Sequence, residues 1–304
     1  MRNKLVKFIF GFNAQDLQDI HSNISQINKK ADVRQDSLNE FSTRIARIND
    51  LGDAAFNILK AQRDNSSYLR NQLWTTRKEE SYQAVFANNN PLVTVRIATF
   101  NNAEKLVNVA IQSVLNQTYK NFEIIIVGDH CTDNTEERIK ALDDPRITFI
   151  NLPYRSIYPE DSYNRWLVAG SPGMNIGAYM GKGDWIAPLD DDDEFSPDHI
   201  EKLLEVALTE KVEFAYGAIL QKNTDTLEER KIYAEIPRFG EFSFQSVLYM
   251  KALSFFEYDQ QSWVVGEPGD WNLCRRMLES GVKIASTEDV VTTIHMTPVA
   301  SKKR

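Results

Sequence analysis

Four consecutive aspartates, Asp190 to Asp193, close an apolar run in DWIAPLDDDDEF (184–195). Carboxylates this dense repel one another; they persist on a solvated loop, or where a divalent cation bridges them to a phosphate-bearing substrate. Trp185, Ile186, Ala187, Pro188 and Leu189 read as a short buried strand. The acids therefore emerge at a strand C-terminus, where open α/β sheets place their ligands. Pro197 and the helical run DHIEKLLEVAL (198–208) follow directly, and this placement selects the cation-bridged reading.

The elements around that strand alternate. LVTVRIATF (92–100), FEIIIVGD (122–129), ITFINL (147–152) and VEFAYGAIL (212–220) read as strands. AEKLVNVAIQSVLNQ (103–117), DNTEERIKALD (133–143) and the short NIGAYMG (175–181) read as helices between them. Apolar strands separated by helices predict an α/β domain with a mostly parallel sheet. Polar residues collect at the strand C-termini: Asn101 and Asn102, Asp129, then the aspartates.

Ahead of this domain, apolar residues recur at alternating spacings of three and four. With Ile24 at position a, the a positions are 17, 24, 31, 38, 45, 52 and 59 and the d positions 20, 27, 34, 41, 48 and 55, broken only by Arg34 and Gly52. About six heptads predict a coiled coil, and isoleucine at both a and d leans away from a strict dimer. Asp64 to Ser67 end the pattern and ANNNP (87–91) reads as a linker. The expected organisation is a tail over 1–16, an oligomerisation helix over 17–66 that pairs copies through 17–62, a linker with a short helix over 67–90, and a catalytic domain over 91–304. Trp74, Tyr82 and Phe86 are the residues expected to dock that short helix.

Charge divides the same way. Residues 1–90 carry a balance of +3 and residues 91–304 one of −11. An acidic domain excludes a broad nucleic-acid surface, which needs a basic stripe. No apolar run reaches the ~18 to 20 residues of a membrane helix. The start, MRNKLVKFIFGF, is basic then apolar and lacks a secretory cleavage site. Two cysteines in unrelated segments, Cys131 and Cys274, form no disulfide framework. These features predict a cytoplasmic protein whose tail either hangs free or touches a membrane surface.

Over about residues 91–297 the sequence resembles the family 2 glycosyltransferases of the GT-A fold. The likeness rests on three segments in order: VTVRIATFNNAEKLVNVAIQSVLNQTYKNFEIIIVGDHCTDNT (93–135), NIGAYMGKGDWIAPLDDDDEFSPDH (175–199) and GDWNLCRRMLESG (269–281). It implies inverting transfer of a sugar from a nucleotide-diphosphate donor, most readily a UDP-sugar, to a hydroxyl acceptor. A metal held by carboxylates would neutralise the departing diphosphate, and hard oxygen ligands imply Mn²⁺ or Mg²⁺. In the D-x-D spacing the resemblance implies Asp192 as direct ligand, with Asp190 nearer the ribose or behind the metal and Asp193 assisting. Asp191 faces solvent, caps the turn or joins the nucleotide subsite. His295 either reaches the metal or is a loop histidine.

The resemblance implies a nucleotide subsite of Ala98, Thr99, Phe100 and Asp129, with Phe100 stacking on the base and Asp129 accepting from it. Family members usually carry a second acid where this chain has Gly128. Asp133 reads as a helix cap, and Arg155 and Arg165 either reach phosphate or pair at the surface. Asp270 matches the family's general base, and Glu267 is the runner-up. Trp263 and Trp271 line a sugar pocket or the core. Two other classes share parts of this pattern. A sugar-phosphate nucleotidyltransferase usually opens on a glycine-rich basic loop, whereas IATFNNAEK (97–105) has no glycine; a non-catalytic sugar-nucleotide-binding scaffold has no need of Asp190, Asp192 and Asp270 together.

Overall fold

In the computed structural model, residues 14–296 are described. The basic start and its expected membrane contact lie outside them. The chain divides into two units, residues 1–63 and 64–304.

The first unit is helical. Helix α1 runs Ala14–Asp64 without a proline to break it, and pairs one turn apart such as Arg44–Glu40 (2.7 Å) brace its polar faces. Ile24, Ile27, Leu38, Phe41, Ile45 and Ile48, all a or d residues of the heptads, stand exposed along it.

The second unit opens with two helices where the sequence suggested one. Asn65 takes the left-handed conformation (φ 45°) ahead of α2 (Ser66–Thr76), and a turn at 77–79 separates α2 from α3 (Glu80–Val85). Leu69, Leu73 and Tyr82 enter the core and Phe86 packs edge-on against Trp185. Trp74 does not dock as expected: it is 63% exposed, with Lys78 Nζ 3.0 Å from the centre of its ring. Arg77 grips the fully buried Glu213 through Nε (2.5 Å) and Nη2 (2.7 Å), and the Tyr82 hydroxyl donates to the same carboxylate at 2.6 Å.

Among the described residues the sheet has nine strands: β1 (Val93–Thr99), β2 (Phe122–Gly128), β3 (Ile147–Asn151), β4 (Trp185–Asp190), β5 (Glu194–Phe195), β6 (Phe214–Asn223), β7 (Glu229–Ile232), β8 (Val247–Met250) and β9 (Ile284–Met296). Its order is β3-β2-β1-β4-β8-β6-β9-β5, with β7 beside β6. The first four strands of that order are parallel, β8 is antiparallel to β4 and β6, and β6 and β9 are parallel. Nearly every β1, β2 and β4 side chain is buried, as strands covered on both faces require.

The remaining helices are α4 (Ala103–Lys105), α5 (Gln112–Leu115), α6 (Thr135–Lys140), α7 (Ser162–Val168), α8 (Ser171–Met180), α9 (His199–Glu210) and α10 (Gly269–Ser280). Between α4 and α5 the chain widens into a π-helical stretch, Leu106–Ile111. Helix α8 lies close on β1 because Gly173 and Gly177 face it: a Cβ there would stand 3.1 Å from Ala98 Cβ and 3.3 Å from Arg96 Cβ. Register sets the site. Thr99 pairs with Gly128 and Ala98 with Asp190, so Phe100, Asp129 and the aspartate run leave the sheet along one edge.

Candidate active site

The C-terminal end of β4 opens onto a cavity of about 370 Å³, whose lining does not include Phe100 or Asp129. Asp190, Asp192, Asp193 and Asp270 all line it, with His295 nearby and Trp166, Phe239, Tyr258 and Trp271 among its aromatic walls. The sequence-predicted acids from two distant segments thus share one hollow.

Each member of the aspartate run has its own setting. Asp190 accepts from Gln245 Nε2. Burial, then the charge of Asp192, pushes its carboxyl up to about 7, although Arg96 acts against this. Asp191 is only partly exposed, with both carboxylate oxygens engaged: it accepts from Thr99 Oγ1 at 2.6 Å and Asn102 Nδ2 at 2.9 Å, and burial raises it to about 6 against those two bonds. Thr99 therefore serves the cluster through its hydroxyl, while Ala98 packs under Gly173 of α8. Asp192 pairs with Lys105 Nζ at 3.2 Å, and both side chains are partly open to water. Asp193 is buried, accepts the His295 backbone N–H at 2.9 Å, and is pushed well above the usual range by burial and by Asp190. The His295 ring is engaged elsewhere, with Nε2 3.3 Å from Glu194 Oε1. Among the described residues no three His, Cys, Asp or Glu side chains converge to hold a metal. What does suit a hard cation is the charge crowding itself, in which Asp192 raises Asp190 and Asp190 raises Asp193.

At the end of β2, Asp129 is buried and fully engaged. Arg155 Nη1 lies 2.5 Å and the Tyr158 hydroxyl 2.7 Å from Oδ2, and the Ser156 N–H is 2.8 Å from Oδ1. The Arg155 guanidinium lies over the Phe100 ring, 3.3 Å from its centroid. Arg155 thus covers Phe100 and Asp129 together. Arg165 donates to the Glu160 carbonyl at 2.8 Å. Asp133 accepts from Thr135 N–H (3.2 Å) and Oγ1 (2.5 Å) in the turn ahead of α6, one residue before the N-cap position, which Asn134 holds.

Asp270 stands in the first turn of α10 and accepts from the Trp271 N–H at 2.7 Å. Burial raises its carboxyl, and that backbone bond acts the other way. Glu267 has a different office. It lies outside the cavity lining, buried, and is bound by Arg275 Nη2 (2.7 Å) and Asn272 Nδ2 (2.8 Å). A carboxylate held so has no face for a substrate proton, which removes it as runner-up base. Trp263 is part of a 3₁₀ turn (Ser262–Val265) and does not line the cavity, whereas Trp271 does.

Lys105, Gln245 and Tyr158 contact these acids and were not singled out in the sequence, where Asn102 stood only among the polar strand ends. Asn102 and Lys105 carry a signal, being one helical turn apart after a strand end. Gln245 and Tyr158 carry none, since each arrives from a loop far along the chain.

The glycosyl transferase family 2 model matches residues 94–264, and the chain belongs to that family. The match includes Asp129 and Asp190 to Asp193 and ends before Asp270. Curated relatives include a putative colanic acid biosynthesis glycosyl transferase, WcaA, of Escherichia coli K12, 30% identical over 168 residues covering 54% of each chain. Another is the E. coli UDP-Glc:α-D-GlcNAc-diphosphoundecaprenol β-1,3-glucosyltransferase WfaP, 34% identical over 126 residues, or 41% of this chain and 45% of the relative. The chain spans about half the length of these relatives. Among solved structures, S. aureus TarS 1–349 in complex with UDP-GlcNAc superposes with a TM-score of 0.52 at 14% identity, covering 67% of this chain and 58% of that one. The fold is GT-A, preceded by the long helix α1.

Proposed function

We propose that the protein is a metal-dependent inverting glycosyltransferase that moves a sugar from a UDP-sugar to a hydroxyl acceptor in glycan or glycoconjugate synthesis. The observation that carries this reading is the meeting of Asp190, Asp192, Asp193 and Asp270 around one aromatic-walled cavity at the parallel strand ends. Membership of glycosyl transferase family 2 supports it, as do WfaP, named for a UDP-glucose donor, and the UDP-GlcNAc complex of TarS.

In this reading the nucleotide lies against Phe100 and Asp129, and its diphosphate faces the aspartate run. Asp192, open on the cavity, would hold Mn²⁺ or Mg²⁺ with Asp190 behind it, and the cation would offset the charge of the leaving diphosphate. His295 would join it only by leaving Glu194. Lys105, now on Asp192, is within reach of the same phosphates. Asp270 accepts the proton of the attacking hydroxyl. It does so as a carboxylate, a form that the positive end of α10 favours and burial opposes. Trp271 and Phe239, whose ring centroids are 6.0 Å apart, offer flat apolar faces to a sugar ring at the cavity wall.

The exposed heptad residues of α1 support self-association through residues 17–62. Free Cys131 and Cys274 suit the cytoplasm, and no helix of the described residues is long and apolar enough to cross a membrane.

The experiment is a panel of nucleotide sugars incubated with the full chain and Mn²⁺, read as release of the nucleoside diphosphate. UDP should appear with at least one UDP-sugar and disappear with EDTA. No release and no thermal stabilisation by any donor would overturn the reading.

A further inference from the structure

Asp64, the first residue of the second unit, lies 30 residues before the family match begins, yet it is buried and charged. Both its oxygens are taken by one guanidinium: Oδ1 by Arg275 Nη2 at 2.8 Å and Oδ2 by Nη1 at 2.9 Å. The same Arg275 holds Glu267 through Nη2 (2.7 Å) and Nε (3.0 Å) and Glu279 through Nη1 (2.9 Å), so all its nitrogens are in use. Glu267 in turn accepts from Asn272 (2.8 Å), and Asn272 accepts from Arg276 Nε (2.8 Å). Arg276 then donates to the backbone carbonyl of Glu257.

The two ends of this network bracket the cavity. Glu267 is followed by Pro268 and Gly269 and then Asp270, with the Asn272 N–H closing the turn on the Pro268 carbonyl at 2.8 Å. Glu257 precedes Tyr258, which lines the cavity and whose hydroxyl accepts from the buried Arg96 at 2.7 Å. We propose that Asp64 is a positioning residue for transfer. By completing the bidentate grip on Arg275 it fixes Glu267, and so the turn that carries Asp270. This rests on reading Asp270 as the base.

The physical reason is shared charge. One guanidinium between buried carboxylates has a unique orientation only while each holds its own pair of N–H groups. Without Asp64, Arg275 can turn about its planar axis and Glu267 loses a fixed partner. Small misplacements of a proton acceptor are costly to rate and cost little in donor binding.

The test uses full-length Asp64→Asn, Asp64→Ala and Asp64→Glu beside Asp270→Asn. Three quantities are read: kcat and KM for UDP release from the most active donor of the panel, backbone hydrogen exchange in a peptide spanning 266–273, and Tm. Asp64→Asn should lower kcat by about 10-fold with KM unchanged, and should speed exchange in 266–273 while leaving β1 and β2 protected. Asp64→Glu should recover part of the rate. Wild-type kcat and exchange in both Asp64→Asn and Asp64→Ala would overturn the proposal, as would a loss that only follows a general rise in exchange. Wild-type turnover by Asp270→Asn would instead remove the base assignment, and with it the catalytic role of Asp64, while the exchange data would still show whether Asp64 holds the turn.

Discussion

The guanidinium of Arg155 lies 3.3 Å from the centroid of the Phe100 ring while its Nη1 donates to Asp129 at 2.5 Å. A flat, delocalised group thus stacks on the aromatic face and offers an N–H edge to the carboxylate, which is the footprint a pyrimidine base would need. A base seeking both contacts has to displace it.

Arg155→Ala should therefore tighten UDP binding severalfold, because the displacement no longer opposes it. Calorimetric titration with UDP and Mn²⁺ measures this. Weaker binding by the variant would mean that Arg155 stays in the occupied site and contacts the nucleotide.

Asp192→Ala should abolish metal-dependent donor binding and leave the fold intact, since the side chain is partly open to water at a strand end and its ion pair among the described residues is the exposed contact with Lys105. Undiminished UDP affinity with Mn²⁺, alongside a wild-type Tm, would refute the assignment.

For Asp270→Asn, the near-isosteric amide keeps an oxygen for the Trp271 N–H, so Tm and donor affinity should barely move. Transfer should fall by about 10² to 10⁴, as for a lost general base. A folded variant with full activity would count against Asp270.

The aspartate run makes stability depend on pH. Asp190 is raised to about 7 and Asp191 to about 6 from 3.8, in both cases first through burial. Each binds its proton more tightly folded than unfolded, so its stabilising effect is complete below about pH 4 and fades as pH rises through 6 to 7. In EDTA these groups lower Tm between pH 5 and pH 8, and Mn²⁺ should restore more stability at pH 8 than at pH 5. Thermal melts across that range test both signs; a Tm gain from Mn²⁺ that is larger at pH 5 would contradict them.

Removing residues 1–63 leaves Asp64 on Arg275 and should give a smaller assembly, or a monomer, that still hydrolyses donor. Light scattering of both forms decides this. Equal subunit numbers would rule out α1 as the assembly element.

The parallel half of the sheet is legible in the sequence because strands such as FEIIIVG (122–128) are buried on both faces and read as unbroken apolar runs. The other half is not. Strand β9 carries Glu288 and Asp289 in its middle, and β8 has only four residues, so their pairing depends on partners far along the chain. Within the site, the aspartates show themselves by density and by their place after a strand. Asp191 looks outward by position alone, because Thr99 and Asn102 reach it only through the β1–β4 register. Arg155 and Tyr158 come from a loop with no periodicity, 26 and 29 residues past Asp129. Resemblance alone ranks Asp270 above Glu267 in the sequence; in the structure Arg275 holds Glu267 away from the cavity that Asp270 lines.

Glu213 is a charge that the interior tolerates only because residues before the family match come to meet it: Arg77 and the Tyr82 hydroxyl occupy its oxygens, with the Lys283 N–H at 2.7 Å. A protein trimmed at its start to residue 94, where the family match begins, would keep the carboxylate and lose two of its three donors. Such a fragment should be poorly soluble and prone to aggregate even with every catalytic residue present. The stable core of this enzyme therefore begins near residue 64, and any transplant of it behind a different helix has to carry residues 64–86 with it.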